Sequence, residues 1–340
     1  MVQLSVIILN YNVKHFLKLC LQSVVQATEN IQAEIIVADN ASKDGSMQMV
    51  AQNFPNVIRL ENKANLGFSK ANNLAVKKAK GKYICILNPD TVVPEQIFSN
   101  LLKFVKTVPD FGAVGVKLID GKGQFLPESK RQIPTPKVAF QKMVGNATNY
   151  YASNLESNDI GCVDVLVGAF MFMSRQRYLQ VGGFDEDYFM YGEDIDLSYK
   201  LLKAGYKNYY YGKDSVIHFK GESTTKDEVY RARFYGAMQL FYKKHFSNSK
   251  FTNLIVKAAL KVVKKANKAQ GLDTDKELPS NVFIYIGNSS DCVAILSKLK
   301  NKQVQHLSLK ELQKLTLKNS QLILDSQFFS FKEIISLLEQ

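Results

Sequence analysis

The 340-residue chain has little cysteine and spaces it badly for any cross-linked framework: Cys20, Cys85, Cys162 and Cys292 are scattered, with no CxxC pair. A disulfide scaffold or a zinc knuckle is therefore not expected, and the four read as reduced thiols of a cytosolic protein. Long hydrophobic runs are also missing. The longest strongly apolar stretch, Val165 to Met173, is about half of the ~20 residues that a membrane-spanning helix needs. No basic segment precedes the apolar Leu4 to Leu9, and Asn10, Asn12 and Lys14 follow at once, so the start does not read as a signal peptide. After that first apolar run there is no glycine-rich phosphate loop with a basic residue; Asn10-Tyr11-Asn12 stands there instead, which argues against a sugar-nucleotide nucleotidyltransferase.

Acidic residues are in the minority, 31 against 44 lysines and arginines, and the formal charge is +13. Such an excess implies an anionic partner: nucleic acid, anionic lipid or a phosphorylated substrate. The charge is uneven. From Lys243 to Lys268 there are eight lysines and no acid. A content of 46% hydrophobic residues is ample for a globular core, and the length suits one large domain or two modest ones.

The pattern is clearest in Lys82 to Pro94, KYICILNPDTVVP. Tyr83 to Leu87 is a short unbroken apolar run, as expected of a strand buried on both faces, and it stops at Asn88-Pro89-Asp90. Upstream, Leu4 to Leu9, Glu34 to Ala38 and Val57 to Leu60 read as strands. The helices between them are expected over His15 to Gln26, from about Ser46 to Asn53, and over Lys70 to Lys80. Strands alternating with helices at this spacing predict an α/β domain with a Rossmann-like, mostly parallel sheet and helices on both faces. Ligands of such sheets gather beyond the carboxyl ends of the strands. There Asp39, after the second strand, can accept the ring N–H of a uracil or thymine base, and Asp90, after the fourth, can meet a diphosphate-bound metal. Each, taken alone, is also open to reading as a plain turn residue.

Farther along, Leu101 to Val108 reads as a helix and Phe111 to Ile119 as containing a strand. Residues 120–161 turn to Gly, Pro, Asn, Ser and Lys, the texture of a lid or binding loop. In it Lys130 and Arg131 are either contacts for an acceptor phosphate or solvated loop charges. Val163 to Met173 reads as one strand. Glu193, Asp194 and Asp196 fall in the first turn of a helix that ends near Gly205, more acid than capping requires. Two short strands, Asn208 to Tyr211 and Ser215 to Phe219, lead to His218-Phe219-Lys220-Gly221-Glu222-Ser223. Phe251 to Ala266 has the pattern of a basic amphipathic helix, open to reading either as a membrane-surface element or as an ordinary packed surface helix. After a polar linker, residues 281–340 repeat strand and helix three times.

Taken in order, SVIILNYN (5–12), VADNASKDGS (37–46), NLGFSKANN (65–73), YICILNPD (83–90), GAFMFMSR (168–175), GGFDEDYFMYGEDIDLSYKL (182–201) and HFKGES (218–223) resemble the GT-A fold glycosyltransferases of family 2, and among them the bacterial rhamnosyltransferase-like members. The resemblance covers roughly the first 245 residues. The pattern gives a basic helix and linker over 246–280 and a small α/β appendage over 281–340, and the resemblance implies a catalytic domain over 1–245. It further implies an inverting transferase that moves a sugar, rhamnose or a hexose, from a dTDP- or UDP-sugar to a glycan or lipid-linked acceptor hydroxyl in cell-surface glycan synthesis.

Carried over by motif, Asp194 is the catalytic base. Asn10, Tyr11, Asp39, Asn65, Gly67 and Asn88 bind the donor, while Glu193, Arg131 and Gly168 bind the acceptor. Asp90, of a DXD-type motif, and His218 hold a divalent cation, Mg or Mn. Asn88 stands where many members carry the first aspartate of that motif. The expected setting is cytoplasmic, with peripheral contact on the inner face of an anionic plasma membrane. A nucleic-acid binder or non-catalytic nucleotide-sugar-binding protein would need no such set of acids.

Overall fold

The computed structural model describes residues 2–143, 146, 148–219, 228–246, 282–286, 303–306, 320–324, 326 and 329–339. The chain divides into two compact units, Met1–Asn267 and Lys268–Gln340.

In the first unit, β1 (Leu4–Asn10), β2 (Ala33–Asp39), β3 (Ile58–Glu61) and β4 (Tyr83–Leu87) are joined by α1 (Lys14–Thr28), α2 (Ser46–Asn53) and α3 (Phe68–Lys78). The four strands run parallel in the order β3-β2-β1-β4. Alternate residues of each strand enter opposite cores. Leu4, Val6 and Ile8 share one apolar cluster with Leu17, Leu21 and Val24 of α1, while Ile7 shares another with Ala75 and Val76 of α3. Each buried aliphatic side chain contributes roughly 1.5–3 kcal/mol, so a slip by one residue would forfeit both cores. Register is thereby fixed: Asn10 lies opposite Asp39, and Ile8 opposite Leu87, which brings the carboxyl ends of β1, β2 and β4 to one edge.

The second half of this nine-stranded sheet is mixed. β5 (Thr91–Val92), α4 (Ile97–Phe104) and β6 (Phe111–Ile119) lead into the long excursion. That segment contains a 3-10 turn at Pro127–Ser129 and α5 (Pro136–Met143) before β7 (Ile160–Val163) and β8 (Phe170–Ser174). Then follow α6 (Arg175–Gln180), α7 (Glu193–Lys203), β9 (Lys207–His218) and α8 (Glu228–His245). β8 lies between β4 and β6, antiparallel to both; β9 runs parallel to β6 and antiparallel to β5 and β7.

Three local expectations change. The run Val163 to Met173 is two strands, not one, because Val165 turns aside to exchange main-chain hydrogen bonds with Arg131. The helix expected over Leu101 to Val108 lies one turn earlier, since Val108 precedes Pro109 and such a residue is biased out of helical geometry. The two strands expected after α7 are a single strand, β9, with a register shift against β6 between Val116 and Lys117.

In the second unit, β10 (Val282–Ile286), β11 (Gln303–His306) and β12 (Ser320–Leu324) form a parallel sheet in the order β11-β10-β12. The helix Phe331–Leu338 opens with a capping box, Ser330 accepting Glu333 N–H at 3.2 Å and Glu333 accepting Ser330 N–H at 2.9 Å. The basic helix over 251–266, the polar linker and the two other helices expected in 281–340 lie outside the described residues.

Candidate active site

Two loops at the carboxyl edge are tied by polar side chains. Asp39 is 3% exposed, and its Oδ1 accepts Asn10 Nδ2–H at 2.7 Å while Oδ2 accepts Ser42 N–H at 2.8 Å. The turn bends through Ala41 at φ 61°, facing Asn12 at φ 55°; an alanine there costs about 1–2 kcal/mol, strain of the kind that collects at binding loops. Asn40 Nδ2 then donates to Asn65 Oδ1 and to the Gly67 carbonyl, both at 3.1 Å. Gly67 has φ 80°, and a Cβ there would stand 2.4 Å from the Phe189 carbonyl oxygen, which accepts Phe68 N–H at 2.6 Å. The Asn65 to Gly67 loop is thus strapped to the segment that precedes α7. Tyr11 is 48% exposed beside it.

Asp90 and His218 meet because β5 pairs with the end of β9, Thr91 opposite His218. Their side chains are 3% and 10% exposed and His218 Nε2 lies 3.5 Å from Asp90 Oδ1. The Phe219 N–H donates to the Asp90 carbonyl at 2.9 Å. His218 Nδ1 is buried with no hydrogen-bond partner among the described residues. A carboxylate oxygen and an imidazole so placed are side chains that could hold a divalent cation. No cluster of three or more His, Cys, Asp or Glu side chains is found among the described residues. Residues 220–223 of the HFKGES loop lie outside them.

The acidic turn of α7 begins at Gly192, φ 81°, after Tyr191 at φ 72°. Asp194 is 8% exposed; its Oδ2 accepts Arg131 Nη2–H at 2.6 Å and Gly168 N–H at 3.2 Å, and its Oδ1 accepts Ile195 N–H at 2.8 Å. Glu193 is buried too, and burial, with Asp194 beside it, pushes its carboxyl up to about 8. Next to Gly168, Ala169 accepts Asn88 N–H at 3.0 Å. The consecutive residues Gly168 and Ala169 therefore join Asp194 to the Asn88-Pro89-Asp90 turn.

Lys130 and Arg131 are not solvated loop charges. Lys130 Nζ donates to the Ala152 and Leu155 carbonyls at 2.9 and 2.5 Å, and Arg131 is 8% exposed on Asp194. Sequence reasoning also passed over Asn73. It donates to the Phe184 carbonyl at 2.8 Å and accepts from Tyr178 Oη–H at 2.5 Å and Phe184 N–H at 3.1 Å, fixing the turn before α7. Its signal was a paired Asn72-Asn73 inside a helix, where asparagine is a poor choice unless its side chain is used.

A sheet of this topology, with acids gathered beyond its strand ends, defines the GT-A class of nucleotide-sugar transferases. The family model described as glycosyl transferase family 2 matches residues 5–173, and one described as N-terminal domain of galactosyltransferase matches 162–223. The chain belongs to glycosyl transferase family 2. It is 31% identical over 242 residues, 66% of this chain and 78% of the relative, to the N-acetylglucosaminyl-diphospho-decaprenol L-rhamnosyltransferase of Mycobacterium tuberculosis strain H37Rv. It is 28% identical over 226 residues, 63% of this chain and 82% of the relative, to rhamnosyltransferase WbbL of Escherichia coli strain K12. Among solved structures, the mannosyltransferase PcManGT from Pyrobaculum calidifontis, in complex with GDP-Man and Mn2+, shares the fold with a TM-score of 0.52 and 17% identity, covering 79% of this chain and 76% of that one.

Proposed function

We propose that this glycosyltransferase moves a rhamnosyl or other hexosyl group from a dTDP- or UDP-sugar to a hydroxyl of a lipid-linked glycan precursor, with inversion. The observation that carries the reading is the junction at Gly168 and Ala169, where the first turn of α7 and the Asn88-Pro89-Asp90 turn are hydrogen-bonded to neighbouring residues. Inversion needs one in-line displacement, with a base on the face opposite the leaving diphosphate. Two acidic turns tied to one short segment suit that demand.

Asp39, oriented by Asn10 and Ser42, accepts the imide N–H of the pyrimidine. Tyr11 lies against the base, and the Asn65 to Gly67 loop and Asn88 border the sugar diphosphate. Asp194 removes the proton of the acceptor hydroxyl, a step worth roughly 10²- to 10⁴-fold in rate. Glu193 and Gly168 line the acceptor side. Asp90 and His218 would hold Mg or Mn, which when bound neutralises charge developing on the leaving diphosphate.

The rhamnosyl donor is supported by the names of both relatives, the lipid-linked acceptor by the name of the Mycobacterium tuberculosis one, and the cation by the fold neighbour. No helix among the described residues is long and apolar enough to cross a membrane. Access to a lipid-linked acceptor would then come by peripheral contact of the lysine-rich stretch with the anionic inner face of the plasma membrane. The test is a thermal-shift panel of sugar nucleotides with and without Mn2+, followed by turnover assays on the best donor. A dTDP- or UDP-sugar that stabilises the protein only with the cation, and is then consumed, is the expected result. Stabilisation by none of them would refute the reading.

A further inference from the structure

The ion pair between Arg131 and Asp194 joins two segments that the reaction does not require to touch. Arg131 reaches α7 from the long excursion, and its main chain is held on both sides by Val165: Arg131 N–H donates to the Val165 carbonyl at 3.1 Å and Val165 N–H to the Arg131 carbonyl at 3.0 Å. Its guanidinium donates to the Leu166 carbonyl at 2.8 Å and to Asp194 Oδ2 at 2.6 Å. Anchored in this way, the fork has little freedom to swing toward a ligand. Asp194 also accepts Gly168 N–H on Oδ2 and Ile195 N–H on Oδ1. An ionised carboxylate offers about four lone-pair sites, so among the described residues the fourth, on Oδ1, is left for an acceptor hydroxyl. Glu193 has the opposite surroundings: its Oε2 is buried with no hydrogen-bond partner among the described residues.

We propose that Arg131 is a positioning residue of this transferase: it orients Asp194 and places the single negative charge of the acid pair there, leaving Glu193 a neutral hydrogen-bond donor toward the acceptor. The proposal rests on the transferase reading, and it moves Arg131 from acceptor ligand to support for the base. Carboxyl neighbours pushed apart in charge state are how one site obtains both an acid and a base at the same pH. The rise of Glu193 to about 8 agrees with that division. The ionisable groups around the acid pair are Arg131 with Tyr150 beside it, from the excursion, and Tyr188 and Asp196, which act on Glu193. Asp196 in turn meets Lys200 and, at 2.7 Å, His245 of α8.

The experiment is the pH profile of kcat/KM for wild type, Arg131→Met and Arg131→Lys, with donor affinity measured by calorimetry on the same preparations. Arg131→Met should lose about 10²-fold at neutral pH, with the acidic limb of the profile moved up by on the order of one pH unit. Arg131→Lys should recover part of that loss and move the limb less, and donor affinity should stay within about threefold in both. A loss that is the same at every pH, with an unmoved limb, would make Arg131 a structural residue only. Should Arg131→Met not fold, the limb of Arg131→Lys decides by the same criterion. A wild type that consumes no sugar nucleotide overturns the transferase reading itself, whereas an active wild type with unmoved limbs overturns this proposal alone.

Discussion

Glu193 and Asp194 are adjacent in sequence, both buried in the first turn of one helix, and yet their surroundings differ. Asp194 has Arg131 at 2.6 Å; Glu193 has burial and a neighbouring carboxylate, and its carboxyl is pushed up to about 8 from an ordinary 4.5. An acid that holds its proton more tightly when folded stabilises the protein below its unfolded value. That contribution is lost as the pH rises between 4.5 and about 8. The slope belonging to one such group is at most about 1.4 kcal/mol per pH unit. Glu193→Gln, which is neutral throughout, should flatten the decline in Tm across that window and leave the variant more stable than wild type at its alkaline end. Parallel Tm curves for the two proteins would show that Glu193 is ionised in the folded state.

At the scale of elements, the Asn65 to Gly67 loop and the segment leading into α7 are coupled through Gly67. A side chain at that position would have to occupy φ 80° and stand 2.4 Å from the Phe189 carbonyl oxygen. Gly67→Ala should therefore cost more than the ~1–3 kcal/mol of that glycine-favoured backbone alone, seen in urea unfolding, and weaken donor binding at least tenfold. Unchanged affinity would detach this loop from the donor site.

The strand before Asp90 was legible because an unbroken apolar run ending in Asn-Pro-Asp leaves few alternatives, and the parallel direction of β1 to β4 follows from the helices between them. Apolarity marks burial, however, and carries neither direction nor a bend. Val163 to Met173 thus read as one strand, although Val165 leaves the sheet to bond with Arg131 and β8 returns antiparallel. Arg131 was visible as a candidate acceptor contact, but its pairing with Asp194 was hidden for a related reason. A cation amid Pro, Gly and Lys reads as solvated, and its burial is decided by an acid 63 positions away. Asp39, by contrast, was visible as a strand-end acid, and what the structure adds is the pair of donors, Asn10 and Ser42, that fix its two oxygens.

For the whole molecule, eight lysines without an intervening acid between Lys243 and Lys268 account for much of the +13 charge. A stretch of that kind is worth roughly 1 kcal/mol per cation near an anionic bilayer. Flotation should recover the full chain with anionic liposomes and not with neutral ones, and should weaken steeply with salt. Truncation after Phe246 should abolish flotation, and equal flotation of the truncated and full chains would place the membrane contact elsewhere. The catalytic account depends on a different property of the whole molecule, the convergence of acids from β4 and α7 on the edge where β1 and β2 also end. The most direct test is Asp194→Asn, assayed for turnover and, in the same buffer with Mn2+, for donor binding by calorimetry. Turnover should fall by about 10²-fold or more while donor affinity stays near that of wild type. Turnover equal to wild type would remove Asp194 from the role of base.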